Sequence, residues 1–101
     1  MNATIKFETG QLMATPNAKT QVNNQDMHAA LARHMAGDWG NVSDADKKLN
    51  DYCVTAGYRL LSIYTDRHGN VFWITTEADR SATTVWLPSD HPQSQQLSKV
   101  G

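Results

Sequence analysis

The chain is poor in the features that mark several classes of protein. Its 101 residues contain a single cysteine, Cys53, and no uninterrupted apolar run longer than four residues. One cysteine cannot close an internal disulfide, and a bilayer span requires roughly 20 apolar residues. The first ten residues also lack the basic start and the apolar core of a secretory signal. We therefore expect a cytoplasmic protein without a membrane segment.

The chain also lacks an excess of charge of either sign. Nine Lys and Arg residues stand against ten Asp and Glu residues. Residues 1–42 and residues 58–101 each sum to zero and residues 43–57 sum to −1, so no region forms a basic stripe for phosphates. Nucleic-acid binding is therefore disfavoured, and an ordinary folded domain is expected.

No spacing of metal ligands or cofactor motif is present, so the sequence predicts neither a metal site nor a cofactor. His28 and His34 point about 120° apart on one helix and cannot clamp a single ion. We interpret all four histidines, which include His68 and His91, as surface residues.

The N-terminal segment has the alternation of a strand. Over residues 4–13 the apolar Ile5 and Phe7 fall on one side, which predicts a half-buried strand that Gly10 bends or ends. Thr15, which precedes a proline, indicates that a short helical turn follows. The polar run at residues 21–25 predicts a surface loop.

Two amphipathic helices come next. Met27, Leu31 and Met35, with Ala30 and His34 beside them, form an apolar stripe on a helix that begins near Asp26 and ends at Gly37. Ser43 and Gly57 are the predicted caps of a second helix. Its expected core-facing residues are Ala45, Leu49, Tyr52, Cys53 and Ala56, while Lys47, Lys48, Asn50 and Asp51 are expected to point outward.

The pattern then changes to strands. The segments YRLLSIYT, VFWITTE and ATTVWLP are separated by turns at DRHGN and ADRS, which predicts a three-stranded antiparallel meander. The two helices would pack on this meander, which gives an α+β fold with an N-terminal strand. Residues 1–89 form one domain, and residues 90–101 form a polar tail that we expect to be extended or mobile.

The catalytic combinations that the sequence permits are weak. Cys53 lies on the apolar side of its helix, where a free cysteine behaves as a small buried hydrophobe. Ser81, Asp79 and a histidine have the residue types of a catalytic triad, but no G-x-S-x-G turn accompanies them. Local hydrogen bonds to the backbone of a turn are a better explanation for the presence of Asp79 and Ser81. Glu77 and Asp79 could act as a carboxylate pair only if no turn separated them.

The three tryptophans are the feature of the sequence that most favours a functional role over simple packing. Trp39 lies in the loop sequence GDWG, where it could either pack over the sheet or stand exposed as a binding anchor. Trp73 and Trp86 are candidates for cross-strand partners in the meander. Arg59, Arg80 and Glu77 would then be the polar groups available to specify a partner or to form a buried ion pair.

The segments RHMAGDWGNVSDADKKLND and GYRLLSIYTDRHGNVFWITTEADRSATTVWLP resemble a family of small bacterial proteins carried on plasmids, prophages and other mobile elements. The resemblance runs from Thr9 to Ser89, and its sharpest parts are GDWG at residues 37–40 and ITTEADRS at residues 74–81. Relatives have ITEADRS, without the additional threonine. Some members are labelled as restriction-modification subunits, but this chain has neither a G-x-G-x-x-G nor a D/N-P-P-Y/F motif of a methyltransferase. The resemblance implies an accessory or counter-defence role.

Together these observations favour a non-enzymatic accessory protein that binds another protein, from the host or from the mobile element. The GDWG loop and the TEADRS turn are its expected contact sites, and the tentative binding residues are Asp38, Trp39, Glu77, Asp79 and Arg80. The alternative is a small enzyme or a ligand-binding protein with a pocket around the last three of these residues. The free edge of the meander could also pair two copies into a homodimer.

Overall fold

The structure of the protein, a computed structural model, describes residues 5–90 and shows a sheet packed against helices. The α+β class is confirmed. The elements are β1 (Gln11–Ala14), α1 (Pro16–Gln21), α2 (Asn24–Met35), α3 (Asp44–Ala56), β2 (Leu60–Thr65), β3 (Val71–Thr76) and β4 (Ala82–Trp86), followed by a 3-10 turn at Pro88–Asp90. Apart from Asp90, the tail predicted for residues 90–101 lies outside the described residues.

The sheet is mixed, with four strands in the order β1-β4-β3-β2. Strands β2, β3 and β4 run antiparallel in sequence, as the meander requires, and Trp73 lies opposite Trp86 as expected. The prediction of a purely antiparallel meander is nevertheless incomplete, because β1 pairs with β4 in parallel. β1 and β2 are therefore the two edges of the sheet.

The N-terminal strand is shorter and later than predicted. It begins at Gln11, and residues 5–10 contain no strand, although Phe7 is buried. Gly10 has a φ of 62°, and a Cβ at that position would lie 2.2 Å from the carbonyl group of Ser81. Gly10 thus lies directly against the residue that precedes β4, and the ladder starts at the next residue, whose N–H donates to Ser81 O at 3.0 Å.

The short helical turn predicted after Thr15 is confirmed as α1, and only α2 begins earlier than predicted. Thr15 caps α1 by accepting the N–H of Ala18 at 3.1 Å. α2 begins inside the run predicted as a loop, since Asn23 accepts the N–H of Asp26 at 3.0 Å and acts as its N-cap. The two helices contribute one side of the main core.

This core fills the space between α1, α2 and one face of the sheet. On that face β2, β3 and β4 present alternate residues inward, as the period of a strand requires. The core residues are Ala18, Val22, Met27, Ala30, Leu31, Tyr64, Phe72, Ile74, Val85 and Leu87. A second, smaller cluster next to α3 contains Phe7, Trp39, Val42, Cys53 and Leu60.

The prediction for the inner face of α3 is wrong for most of its residues. Leu49 and Tyr52 are 56% and 60% exposed, whereas Cys53 and the polar Asn50 are buried. The reason is a pair of hydrogen bonds between Asn50 and the backbone of Leu61 in β2. The Asn50 amide donates to Leu61 O at 2.9 Å, and its oxygen accepts the Leu61 N–H at 3.3 Å.

The GDWG loop closes the remainder of the same edge. The N–H of Ile63 donates to Trp39 O at 3.2 Å, and Ile63 O accepts the N–H of Asn41 at 2.7 Å. Together with the two hydrogen bonds of Asn50, these bonds provide partners for the outward N–H and C=O groups of both Leu61 and Ile63. The edge of β2 is therefore closed at Leu61 and Ile63, and such closure protects an edge strand from unwanted pairing.

Gly40 makes this closure possible. It has a φ of 77°, and a Cβ there would lie 2.0 Å from Ile63 O. Gly69, with a φ of 87° and no atom within 4 Å of its Cβ position, offers a matched control. We expect Gly69→Ala to cost about 1 kcal/mol for left-handed strain, and Gly40→Ala to cost about 3 kcal/mol because the backbone clash is added. Urea unfolding of both variants measures this difference, and equal losses would contradict the close approach.

Candidate functional site

The GDWG loop is held by its aspartate. The guanidinium of Arg33 donates to both carboxylate oxygens of Asp38, at 2.8 and 3.1 Å, and this bond lowers the pKa of Asp38. The hydroxyl of Tyr64 donates to the Asp38 carbonyl. The carboxylate of Asp38 lies at the surface but is already paired, so its main observed role is to fix the loop to α2.

Trp39 packs in the interior. Only 3% of its surface is exposed, and its indole N–H donates to Asp51 at 2.9 Å. Its ring stacks on Phe7 at 6.1 Å between centroids and meets the edge of His34 at 5.5 Å. Of the two interpretations that the sequence leaves open, the structure shows packing.

The TEADRS turn is a tight connection between β3 and β4. The N–H of Arg80 donates to Glu77 O at 2.9 Å, and Arg80 has a φ of 62°. Asp79 accepts the N–H of Ser81 at 3.0 Å, which confirms the local role expected for its carboxylate. Glu77 contributes backbone groups to the turn, with its N–H donating to Ala82 O at 3.0 Å.

The guanidinium of Arg80 fastens this turn to α3. It donates to Cys53 O at 2.8 Å, to Val54 O at 3.4 Å and to Tyr58 O at 2.8 Å. The last four carbonyls of a helix have no partner within the helix, and the positive charge also meets the negative end of the helix dipole. Arg80 therefore binds two of the last four carbonyls of α3 and ties the turn to the C-terminal end of that helix.

Phe7 and His34 connect the two motifs. The Arg80 guanidinium lies 5.6 Å from the centroid of the Phe7 ring, whose other neighbours are Trp39 and His34. The structure thus brings Trp39 and Arg80 to one interior cluster, whereas Asp79 stays at the surface of its turn. The helix pattern places His34 beside the apolar stripe of α2, but it does not predict the contacts of Phe7 with His34 and Arg80.

His34 was expected at the surface but is completely buried. Its Nδ1 lies 2.5 Å from Ser62 Oγ, and its Nε2 lies 2.9 Å from Thr76 Oγ1. A hydrogen bond of 2.7 Å joins Thr76 to Thr83, whose hydroxyl donates to Thr9 O at 2.8 Å. Both ring nitrogens are therefore satisfied, which is what permits a histidine in the core.

The direction of this chain of hydrogen bonds follows from counting protons. Thr83 uses its one hydroxyl proton on Thr9 O, so Thr76 must donate to Thr83, and the Nε2–H of His34 must donate to Thr76. Nδ1 then accepts the proton of Ser62. Although Ser62 and His34 resemble a nucleophile and its base, both are completely buried, so a substrate does not reach them.

The described cavities do not support a reactive pocket at the TEADRS turn. Four cavities are lined by residues of the described range, and none of these four includes Glu77, Asp79 or Arg80. Residues 5–90 also contain no group of three or more His, Cys, Asp and Glu residues placed to hold a metal ion.

One of the four cavities is an open groove of about 430 Å³ between β1 and α2. Leu12 and Met13 stand at its β1 side with 51% and 43% of their surfaces exposed. Its lining also includes two basic or partly basic side chains, Lys19 and His28, and no carboxylate. The remaining lining residues are Ala14, Met27, Leu31 and Val85.

The groove runs beside the edge of β1, along which no other strand of residues 5–90 is paired. The N–H groups of Gln11 and Thr15 donate to β4, at Ser81 O and Val85 O. Because backbone groups alternate along a strand, those of Leu12 and Ala14 point away from β4. β1 therefore presents outward backbone groups next to an apolar groove, in contrast to the closed edge of β2.

Comparison of the chain with known proteins identifies no relative. No family model, curated protein or solved structure matches the chain. Within residues 5–90, none of the helices has the length and apolar character needed to cross a bilayer.

The buried His34 makes stability depend on pH. Burial, aided by the positive charge of Arg80, lowers the pKa of His34 from 6.5 to about 4. The unfolded chain therefore takes up this proton first, and stability that is complete above pH 6.5 decreases as the pH falls towards 4. We expect a loss of about 2 kcal/mol between pH 7 and pH 5. Urea unfolding at the two pH values measures it, and His34→Gln should remove most of the difference; an unchanged slope in that variant would contradict the assignment.

Arg80 should matter to folding far more than its neighbour in the turn. We expect Arg80→Ala to lower the free energy of unfolding by about 2 kcal/mol, because charge-assisted bonds to several carbonyls are lost. Asp79→Ala removes one exposed bond and should cost less than about 1 kcal/mol. Thermal and urea unfolding compare the two variants. An Arg80→Ala protein as stable as the parent would contradict this structural role and would favour the predicted role of Arg80 as a binding residue.

Proposed function

We propose that the protein is a non-enzymatic binding module that accepts an extended segment of another protein in the groove between β1 and α2. The observation that carries the proposal is the difference between the two sheet edges. Residues 39–41 and Asn50 occupy the edge of β2, while the edge of β1 keeps its outward backbone groups beside an apolar groove. An added strand would bond to that edge and place alternate side chains in the groove.

The chemistry of the groove specifies the kind of segment. Leu12, Met27 and Leu31 supply apolar contacts for side chains at every second position of a strand. Lys19 and His28 favour an acidic flank, because no carboxylate shares the lining with them. The partner is therefore an extended peptide with alternating apolar residues and acidic ends.

The resemblance to proteins of mobile elements supports a cytoplasmic partner, from the host or from the element itself. A binding role at the β1 edge is also compatible with the contacts that the GDWG loop and the TEADRS turn make within the fold. Trp39 and Arg80 hold the loop and the turn in place, so in this proposal they serve the scaffold and the β1 edge makes the contact.

A synthetic peptide tests the proposal directly. We expect acetyl-Glu-Val-Thr-Val-Thr-Val-Glu-amide to produce saturable NMR shifts at the amides of Leu12 and Ala14. Lys19→Glu should weaken binding about fivefold, as expected for one charge contact, whereas Lys48→Glu on α3 makes the same change of charge and should have no effect.

Two further peptides separate strand addition from unspecific adsorption. Replacing the central valine of the peptide with proline removes an N–H and should abolish binding, because a strand partner needs that donor. Replacing both glutamates with lysine should weaken it. Shifts that cluster at residues 37–40 or 77–81, or that survive the proline peptide, would overturn the groove as the binding site.

A further inference from the structure

The outer surface of α3 carries an apolar stripe that the fold does not use. Ala45, Leu49, Tyr52 and Ala56 are all exposed, although their spacing of four, three and four residues is that of a helix seam. Tyr58, just beyond the helix, is 57% exposed and stacks on Tyr52 at 6.3 Å between centroids. We call these five residues the α3 stripe.

The stripe faces outward for a physical reason. Asn50 must point towards Leu61 to close the edge of β2, and this fixes the rotation of the helix about its axis. Leu49 and Tyr52 lie on a different side of the helix from Asn50 and are therefore exposed to solvent. Contiguous exposed apolar side chains on a small protein are typical of an interaction surface.

We infer that the α3 stripe is a self-association surface, on which α3 of a second copy packs antiparallel to form a homodimer. A two-fold axis near Leu49 and Tyr52 brings the stripe of one copy onto the stripe of the other. The dipoles of antiparallel neighbouring helices also oppose each other favourably.

Charge along the helix favours the antiparallel arrangement. Asp44 and Asp46 lie in the first turn of α3, and no basic residue lies in its last turn. Arg59 follows the C-terminal end of the helix, and the guanidinium of Arg80 binds the carbonyls there. An antiparallel partner places its acidic first turn at the C-terminal end of α3, where Arg59 follows the helix, whereas a parallel partner would align like charges.

A cavity beside the stripe supplies a complementary shape. It has a volume of about 200 Å³. Its apolar wall is formed by Val42, Leu49, Cys53, Leu61 and Ile63, and its polar lining by Asp46, Asn50 and Arg59. In the antiparallel pair Tyr52 of one copy lies against Leu49 of the other, next to this cavity. The surface thus contains both a protruding aromatic side chain and a recess, which a self-complementary interface requires.

The size of the surface sets the strength of the dimer. A helix of 13 residues is about 20 Å long, so the contact lies at the small end of specific interfaces. We therefore expect a reversible dimer whose population rises with concentration in the micromolar range.

Sedimentation velocity of the full chain from 5 to 500 µM tests the inference. We expect the weight-average sedimentation coefficient to rise with concentration, and Tyr52→Lys or Leu49→Lys to weaken association at least tenfold. Val71→Lys and Leu12→Lys place the same charge on other exposed apolar positions and should leave association unchanged. Far-ultraviolet circular dichroism checks that each variant is folded.

Charge exchange tests the orientation. Asp44→Arg and Arg59→Asp should each weaken association, and the double variant should recover it. A parent protein that stays monomeric up to 500 µM would overturn the inference. So would a dimer that Leu12→Lys disrupts and Tyr52→Lys does not, because that result would assign association to the β1 edge.

Discussion

A strand at the edge of a sheet needs partners for one row of its backbone N–H and C=O groups, and much of this structure follows from how β2 obtains them. The loop after α2 must approach Ile63 closely, which requires Gly40 and carries Trp39 into the interior. Asn50 must point to Leu61, which fixes the rotation of α3. The apolar stripe of that helix is then turned to solvent. A single requirement for hydrogen bonds thus accounts for a buried loop tryptophan and an exposed helix stripe.

The interior is organised around polar groups as well as apolar ones. His34 joins α2 to β2 through Ser62 and to β3 through Thr76. A buried network that is fully satisfied specifies one arrangement, because any shift of a strand would leave a buried donor or acceptor without a partner. Among residues 5–90, no buried side-chain nitrogen or oxygen lacks such a partner.

The sequence was sufficient for the elements that short-range rules determine. Ser43 and Gly57 cap α3 as predicted, and the three strand segments predicted near the end of the described chain match β2, β3 and β4, although burial alternates regularly only along β2. The placement of β1 could not be predicted, because it depends on the close approach of Gly10 to the turn after β3, far away in the chain. The orientation of α3 was missed for a related reason. Periodicity identifies an apolar stripe, but only the position of Leu61 determines which side of the helix Asn50 must face.

Prediction of the candidate site from the sequence was limited in the same way. The motifs GDWG and TEADRS were correctly singled out as unusual, but their side chains act on Phe7 and on the end of α3, which lie elsewhere in the sequence. The groove beside β1 carries no motif at all. It exists because α1 and α2 follow β1 immediately and leave its outer side uncovered within the described chain.

The central claim is that one sheet edge is closed and the other is open. Amide hydrogen exchange measured residue by residue by NMR tests it most directly, without any ligand or substitution. The account predicts slow exchange at Leu61 and Ile63, whose N–H groups bond to Asn50 and to Trp39 O. It predicts exchange near the rate of an unstructured peptide at Leu12 and Ala14. Equal protection at the four amides would contradict it, because the edge of β1 would then be occupied.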